Sequence, residues 1–340
     1  MQPIALPVLD IQQLYAGGDA KQAFLQNLAE AARTVGFFYV SNHQLDQLQR
    51  QVMQQTRAFF ALPEAQKLAV DMVNSPHFRG YTRLQGELTQ GKPDLREQFD
   101  LMNDDEVAHV RAGEPQWWNL IGPNQWPQQL PTFRQVVTDY QAALSELTTT
   151  LLRAFAEVLE QPADIFDKGI TPPYTHMKLI RYPGSSDAAQ RQGVGAHKDP
   201  GYLTIVTQDD QSGLEVLTDD RGWVGAPPLK GAVVVNIGEL LELASDGYLR
   251  ATLHRVQSPV AGHERFSCAF FMAAQLNTEV PLLNLPPALK RRALGPSADP
   301  SNPLFYQVGE NVLKGRLRSH PNVAERHYLT SKNRTLKTAC

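Results

Sequence analysis

The sequence predicts a mainly β protein with flanking helices, and three observations predict it. Seven short β-rich runs crowd residues 175–273, with Gly, Pro and Asp turn signals between them. Ahead of them, residues 20–34, 46–60 and 130–160 carry apolar side chains at steps of three and four, the helical repeat. Beyond residue 281 comes a proline-containing tail with only helical patches. This order argues for an antiparallel sandwich or barrel spanning about 174–280. A helical N-terminal scaffold (1–173) precedes it, and a tail (281–340) packs on it.

In chain order, Ile4–Asp10 reads as a short strand, edge-like because Pro7 cannot donate to a ladder. Asp19 is placed to cap a helix over 20–34, whose apolar face is Phe24, Leu28, Ala31 and Val35. Gly36 ends that helix, and residues 36–40 (GFFYV) follow as a buried strand. A second helix runs from about Asp46 to Phe60, and Pro63 starts a short third. Residues 74–124 are irregular and rich in Gly, Pro and aromatics, the texture of a functional loop. The long helix over 130–160 presents Phe133, Val137, Tyr140, Leu144, Leu147, Leu151 and Phe155. The strand runs are 175–182, 201–208, 213–218, 223–226, 232–238, 251–257 and 265–273, with one helical insert at Glu239–Ser245. A helical patch at Asn311–Arg318 marks the tail.

Composition excludes several classes of function. The chain has 340 residues, 42% of them hydrophobic, enough for a large core in one or two domains. Net charge is −3, so there is no basic excess to neutralise a nucleic-acid backbone. The longest apolar run, Cys268–Ala274, falls well short of the roughly 20 residues a spanning helix needs. The opening MQPIALPVLD lacks the basic region of a secretory signal. The two cysteines, Cys268 and Cys340, make no disulfide scaffold. The expectation is a cytoplasmic enzyme, monomer or weak dimer, with no membrane or nucleic-acid partner.

The chemistry concentrates in a few residues. His197 and Asp199 are two apart on an extended segment, so their side chains point the same way. His254 lies on a later strand. Two imidazoles and one carboxylate on one face of an octahedron leave open positions, the arrangement of non-haem Fe(II) oxygenases. A structural zinc site would close with four protein ligands, and no cysteine is placed to help. An HxD pair arises often by chance, but Arg265 and Ser267 follow His254 at the same spacing of two. A guanidinium fork beside a hydroxyl suits a carboxylate. A turn at 259–262 would bring that strand back alongside His254. The remaining histidines have no comparable partner.

With these motifs in place, the sequence resembles the Fe(II)- and 2-oxoglutarate-dependent dioxygenases of the isopenicillin N synthase-like branch. The resemblance covers most of residues 1–280: GFFYVSNH (36–43), FFALPEAQK (59–67), RGY (79–81), GPNQWP (122–127), LIRYPG (179–184), the stretches 197–217 and 226–256, and RFSCAFF (265–271). It implies a double-stranded β-helix, or jelly-roll, core. It implies His197, Asp199 and His254 as iron ligands, and Arg265 and Ser267 as binders of the distal carboxylate of 2-oxoglutarate, with Tyr182 touching the same cosubstrate. Asn236 is expected to support the His254 strand. The implied cofactors are Fe(II), 2-oxoglutarate and O2. The implied reaction couples decarboxylation of 2-oxoglutarate to hydroxylation, desaturation or cyclisation of a small molecule.

Substrate contacts are expected in the irregular 74–124 stretch, at Arg79, Tyr81 and Phe99, with Glu87, Trp117 and Trp118 as further candidates. If Arg79 binds a substrate carboxylate, the substrate is acidic or amino-acid-like. Three other readings stand beside this one: an oxidase that uses no 2-oxoglutarate, an enzyme that fragments 2-oxoglutarate to ethylene, and a jelly-roll binding module with a dead site. The oxidase places a glutamine near its C-terminus on iron, and the last twelve residues here, LTSKNRTLKTAC, contain none.

Overall fold

A computed structural model of the chain describes residues 6–108, 113–187, 191–297, 299–300 and 302–329. The strands are β1 (Val8–Asp10), β2 (Phe37–Ser41), β3 (Gly80–Thr82), β4 (Leu88–Thr89), β5 (Lys92–Pro93), β6 (Glu97–Met102), β7 (Tyr174–Pro183), β8 (Gln192–His197), β9 (Leu203–Gln208), β10 (Leu214–Thr218), β11 (Gly222–Gly225), β12 (Ala232–Ile237), β13 (His254–Gln257) and β14 (Glu264–Ala273). The helices are α1 (Gln12–Ala16), α2 (Gly18–Thr34), α3 (Asp46–Phe60), α4 (Glu64–Leu68), α5 (Phe133–Val158), α6 (Glu239–Ala244), α7 (Pro287–Lys290), α8 (Val308–Ser319) and α9 (Pro321–His327).

Two sheets face one another. The larger has the order β1-β2-β12-β9-β14-β7-β6-β3, and the smaller the order β11-β10-β13-β8. Pairing is antiparallel except between β1 and β2. Alternation sorts the side chains of the larger sheet. Phe38, Val40, Val233, Val235, Cys268 and Phe270 face outward, into a core shared with α2, α3 and α5. Tyr39, Val234, Ile180 and Ala269 face inward, against Val194, Leu214, Val216 and Val256 of the smaller sheet. This is the two-layer jelly-roll expected, with the helices on one outer face.

The N-terminal helices form where their apolar periodicity places them. Asp19 lies inside the first turn of α2 rather than capping it, because the helix begins one residue earlier. β1 is an edge strand, as Pro7 requires. Part of the predicted strand (Ile4), and also His109, Cys340 and residues 330–340, lie outside the described residues.

Three expectations are corrected. Residues 74–124 are not one irregular loop, since β3 and β6 extend the larger sheet beyond β7. Every residue of β6 is buried, yet Glu97, Gln98 and Asp100 are polar, so no hydrophobic pattern announces it. With β1 and β2, the region before residue 103 supplies half the strands of the larger sheet. The strand β8 is also absent from the sequence reading, because glycines interrupt it. A Cβ at Gly193 would lie 2.8 Å from Cδ1 of Tyr182, so the gap is needed where strand and tyrosine approach. The turn at 259–262 does not fold β14 beside β13. The two strands belong to opposite sheets, and the chain crosses between layers there.

Candidate metal centre and its cavity

His197 ends β8 and His254 begins β13, and the two residues are direct cross-strand partners. Their ring centroids are 4.2 Å apart. Asp199 follows β8 by two residues. Its Oδ1 lies 3.5 Å from His197 Nε2 and 3.6 Å from His254 Nε2. One ligand atom from each residue falls within 4.8 Å of the others. Among the described residues this is the one such group of histidine, cysteine and acidic side chains.

The surroundings orient all three. Nδ1 of His197 lies 2.9 Å from the Gly195 carbonyl, and Nδ1 of His254 lies 3.1 Å from that of Thr252. A carbonyl only accepts, so each Nδ1 must carry the proton and each Nε2 is left with its lone pair toward the meeting point. Oδ2 of Asp199 accepts from Thr204 Oγ1 at 2.6 Å and from Asn236 Nδ2 at 2.8 Å, which leaves Oδ1 for the centre. Asn236 therefore positions Asp199, not the His254 strand as expected. Phe37 meets the His254 ring edge-on at 5.1 Å. Burial alone would raise the Asp199 carboxyl, but His254 and His197 outweigh it and hold it well below the usual range. Two nitrogen donors and one anionic oxygen, gathered on one side, fit a divalent iron that keeps positions open.

The centre opens into a cavity of about 900 Å³ whose lining includes all three residues. Its floor is a ladder between β14 and β7: Arg265 pairs with Tyr182, Ser267 with Ile180, Ala269 with Lys178, Phe271 with His176 and Ala273 with Tyr174. Alternation places all of them on one face. The Arg265 guanidinium is buried, with Nη2 donating to Gln208 Oε1 at 2.8 Å and Nη1 to Ser267 Oγ at 3.4 Å. It stacks over the Tyr182 ring at 5.0 Å. Its Nε finds no hydrogen-bond partner. A buried, unsatisfied N–H on a cation facing a cavity is what a carboxylate ligand would complete.

The far wall is charged. Lys178 Nζ donates to both Glu87 oxygens, at 2.7 and 2.8 Å, and Arg96 donates to Glu87 at 2.8 Å. Arg316, brought in by α8, donates to Asp100 at 3.1 Å. His176 Nε2 lies 2.7 Å from the same Asp100 oxygen, and its ring stacks on Phe271. Burial pushes His176 down to about 3 and His320, beside Glu87, down to about 4, so both are neutral. Glu239, the first residue of α6, also lines the cavity. Burial pushes its carboxyl up to about 7, against the pull of Lys314 and Lys198.

The expected substrate contacts need correction. Arg79, Tyr81 and Phe99 do not line the cavity. Arg79 is fully buried and donates to the carbonyls of His77 and Leu120, tying the chain on either side of β6. Tyr81 donates to Glu97 at 2.5 Å. Phe99 packs between Phe59 and Phe133, with ring centroids at 4.9 and 5.3 Å. Tyr81 and Phe99 are satisfied by these neighbours, and Arg79, although its buried Nε has no hydrogen-bond partner, lies outside the cavity lining. Trp117 and Trp118 lie tilted against each other, with ring centroids 4.3 Å apart, and do not line the cavity; of the six candidates only Glu87 reaches it. The residues that sequence reasoning misses are Lys178, Gln208, Glu239 and the α8 side chains. Lys178 carries a signal: it is four residues before Tyr182 on the same strand, hence on the same face.

Comparison with known proteins identifies the family. Residues 174–274 match the 2OG-Fe(II) oxygenase superfamily, and residues 6–129 match the family described as non-haem dioxygenase in morphine synthesis N-terminal. The 2-oxoglutarate-dependent dioxygenase frbJ of Dothideomycetidae sp. is 32% identical, over 95% of this chain and 91% of its own. Homoarginine-6-hydroxylase 2-ODD-233 of Oryza sativa is 35% identical, over 81% and 88%. Among solved structures, a full-length Neurospora crassa protein in complex with alpha-KG and 5-formyluracil superposes with a TM-score of 0.74 at 23% identity, covering 93% of this chain and 97% of its own, and shares the fold. A 2OG-Fe(II) oxygenase family protein of Caulobacter crescentus has a TM-score of 0.73 at 27% identity, covering 92% and 98%. The chain belongs to the Fe(II)- and 2-oxoglutarate-dependent dioxygenases. It is an oxidoreductase that uses Fe(II), 2-oxoglutarate and O2. No helix among its described residues is long and apolar enough to cross a membrane.

Proposed function

We propose that His197, Asp199 and His254 hold the Fe(II), and that Arg265 and Ser267 grip the distal carboxylate of 2-oxoglutarate beside Tyr182. The chain then oxidises a small polar molecule lodged between the centre and the Glu87–Lys178–Arg316 wall. The observation that carries this is the buried Arg265 with its unpartnered Nε, in the same cavity as three converging ligand atoms. Iron, when bound, supplies the oxygen-activating redox chemistry that no side chain here can perform.

The residues orient and exclude. The Gly195 and Thr252 carbonyls keep the imidazoles in one tautomer. Thr204 and Asn236 hold the carboxylate against rotation. Gln208 fixes the fork of Arg265, so a dicarboxylate arrives in one register. Apolar neighbours such as Val206, Val256 and Phe271 keep water from the reacting region. The homoarginine hydroxylation for which the Oryza sativa relative is named supports a small polar substrate.

The test is succinate formation from 2-oxoglutarate with Fe(II) and ascorbate in air. Replacing His197, Asp199 or His254 by Ala should abolish it and weaken iron binding, since each removes one of three protein ligands. Arg265→Lys should raise the 2-oxoglutarate requirement, because lysine lacks the fork. Full activity in any triad variant, or an unchanged requirement in Arg265→Lys, contradicts the assignment.

A further inference from the structure

We infer that the molecule oxidised in this cavity carries a carboxylate, and that Lys314 and Arg318 of α8 receive it beside the bare backbone of Gly315. This rests on the oxygenase reading above and adds to it the substrate's charge and its place against α8.

Lys and Arg side chains outnumber Asp and Glu in the cavity lining, and most of them are committed to acids. Lys178 and Arg96 hold Glu87, and Arg96 also reaches Asp94 at 3.1 Å. Arg316 holds Asp100, and Lys198 holds Glu242. Arg265 lies in the pocket assigned to 2-oxoglutarate. Lys314 and Arg318 differ. Among the described residues each donates only to a neutral oxygen: Lys314 to the Pro303 carbonyl, and Arg318 to Asn302 Oδ1 at 2.6 Å. An arriving anion therefore takes no cation away from a buried carboxylate.

The two cations are placed to share one anion. They are four residues apart on α8, so they lie on one side of it, and both line the cavity. Burial pulls Lys314 below the ordinary lysine range, and Arg318 adds to this, against the opposite pull of Glu239 and Asp299. Two neighbouring cations that repel, one of them half withdrawn from water, both gain from a carboxylate set between them. A single negative charge suits the place, because the two acids already stand near it.

Gly315 supplies the second observation. It sits in the interior of α8, where glycine weakens a helix relative to alanine. Neither usual reason for keeping a glycine applies. Its φ is outside the left-handed region, and an added Cβ would meet no atom within 4 Å. Gly315 nevertheless lines the cavity, directly after Lys314 and one turn before Arg318. The space its side chain would take is left for a ligand that runs from the two cations into the cavity that holds the metal centre.

Octanoate, octanamide and octylammonium match in length and differ in charge. Each is titrated calorimetrically, under nitrogen, into protein loaded with Fe(II) and saturating 2-oxoglutarate. Octanoate should bind roughly tenfold or more tightly than the amide, the scale of one charge-assisted hydrogen bond, and the ammonium should bind most weakly. Lys314→Gln and Arg318→Gln should each reduce the margin, and the double variant should erase it while leaving the amide constant unchanged. Gly315→Leu should melt no lower than the parent, since leucine is a good helix former with open space to enter, yet it should weaken all three probes. Equal binding of octanoate and octanamide, a preference for the ammonium, or no binding of any probe overturns the inference. So does a margin that survives in the double variant, which would put the anion at another cation such as Arg96. Unchanged binding in Gly315→Leu, or a Tm several degrees lower, also overturns it, since the glycine would then serve the fold and not a ligand. Succinate formation in air by the parent without probe reports on the oxygenase reading by itself. Its absence counts against that reading, while a missing charge preference counts against the α8 site alone.

Discussion

At the scale of single residues, the second layer of contacts is as informative as the ligands. Asn236 on β12 and Thr204 on β9 are cross-strand partners, and both donate to Oδ2 of Asp199. Removing either donor lets the carboxylate rotate and presents the metal with a mixture of geometries. Asn236→Ala should therefore weaken iron affinity roughly tenfold to hundredfold while leaving the chain folded. Equilibrium dialysis against Fe(II) checks this, and unchanged affinity would show that Asp199 is held by the fold alone. Gly238 makes a harsher case. A methyl group there meets a backbone carbonyl that has no room to retreat. Gly238→Ala should separate α6 from the start of β9, lowering both Tm and iron affinity, as calorimetry and dialysis would show. The i, i+2 pairs His197/Asp199 and Arg265/Ser267 are legible because strand geometry converts that spacing into convergence. Asn236 is visible as a residue but not in its role, which depends on a strand distant in sequence.

At the scale of elements, α8 matters more than the tail's composition suggests. It brings Arg316 onto Asp100, which sits in β6, inside the stretch whose sequence has the texture of a loop. Its side chains then close one wall of the cavity. Arg316→Ala would leave Asp100 with Lys178 at 3.8 Å, the neutral Gln98 amide at 2.7 Å and a neutral histidine. Removing one partner of a buried ion pair typically costs about 3–5 kcal/mol. Urea unfolding should show a loss of this order, against a small effect from Arg134→Ala, whose pair with Asp104 is exposed. Equal effects would mean that the buried cluster is not coupled to the fold. Neither β6 nor the position of α8 can be seen in advance, since polar residues buried by pairing leave no hydrophobic period.

At the scale of the whole molecule, the charged wall couples stability to pH. His176 is pushed to about 3 and His320 to about 4, chiefly by burial. A histidine kept neutral in the fold binds its proton more readily once unfolded. Its contribution is therefore whole above the ordinary value of about 6.5 and is lost as pH falls toward the folded values. Glu87 and Asp100 are held below the usual carboxylate range by Arg96, Lys178 and Arg316, despite burial, so their contribution is lost further down, below about 4. Tm should thus decline steadily between about pH 6.5 and 4, ahead of general acid unfolding. A flat Tm over that interval would mean that the two histidines charge freely in the folded chain.

What the sequence determined by itself was local: strand and helix periods, the convergence of residues two apart on a strand, and, through the resemblance its motifs carry, the oxygenase class and the metal ligands proposed for it. Tertiary structure alone decided which polar residues face the cavity. It turned Arg79, Tyr81 and Phe99 away into buried contacts of the scaffold, and turned Lys178, Glu239 and Arg316 toward it. The reason is that a repeat reports which side of its own element a residue occupies. Whether that side meets a cavity, a core or water depends on elements far along the chain.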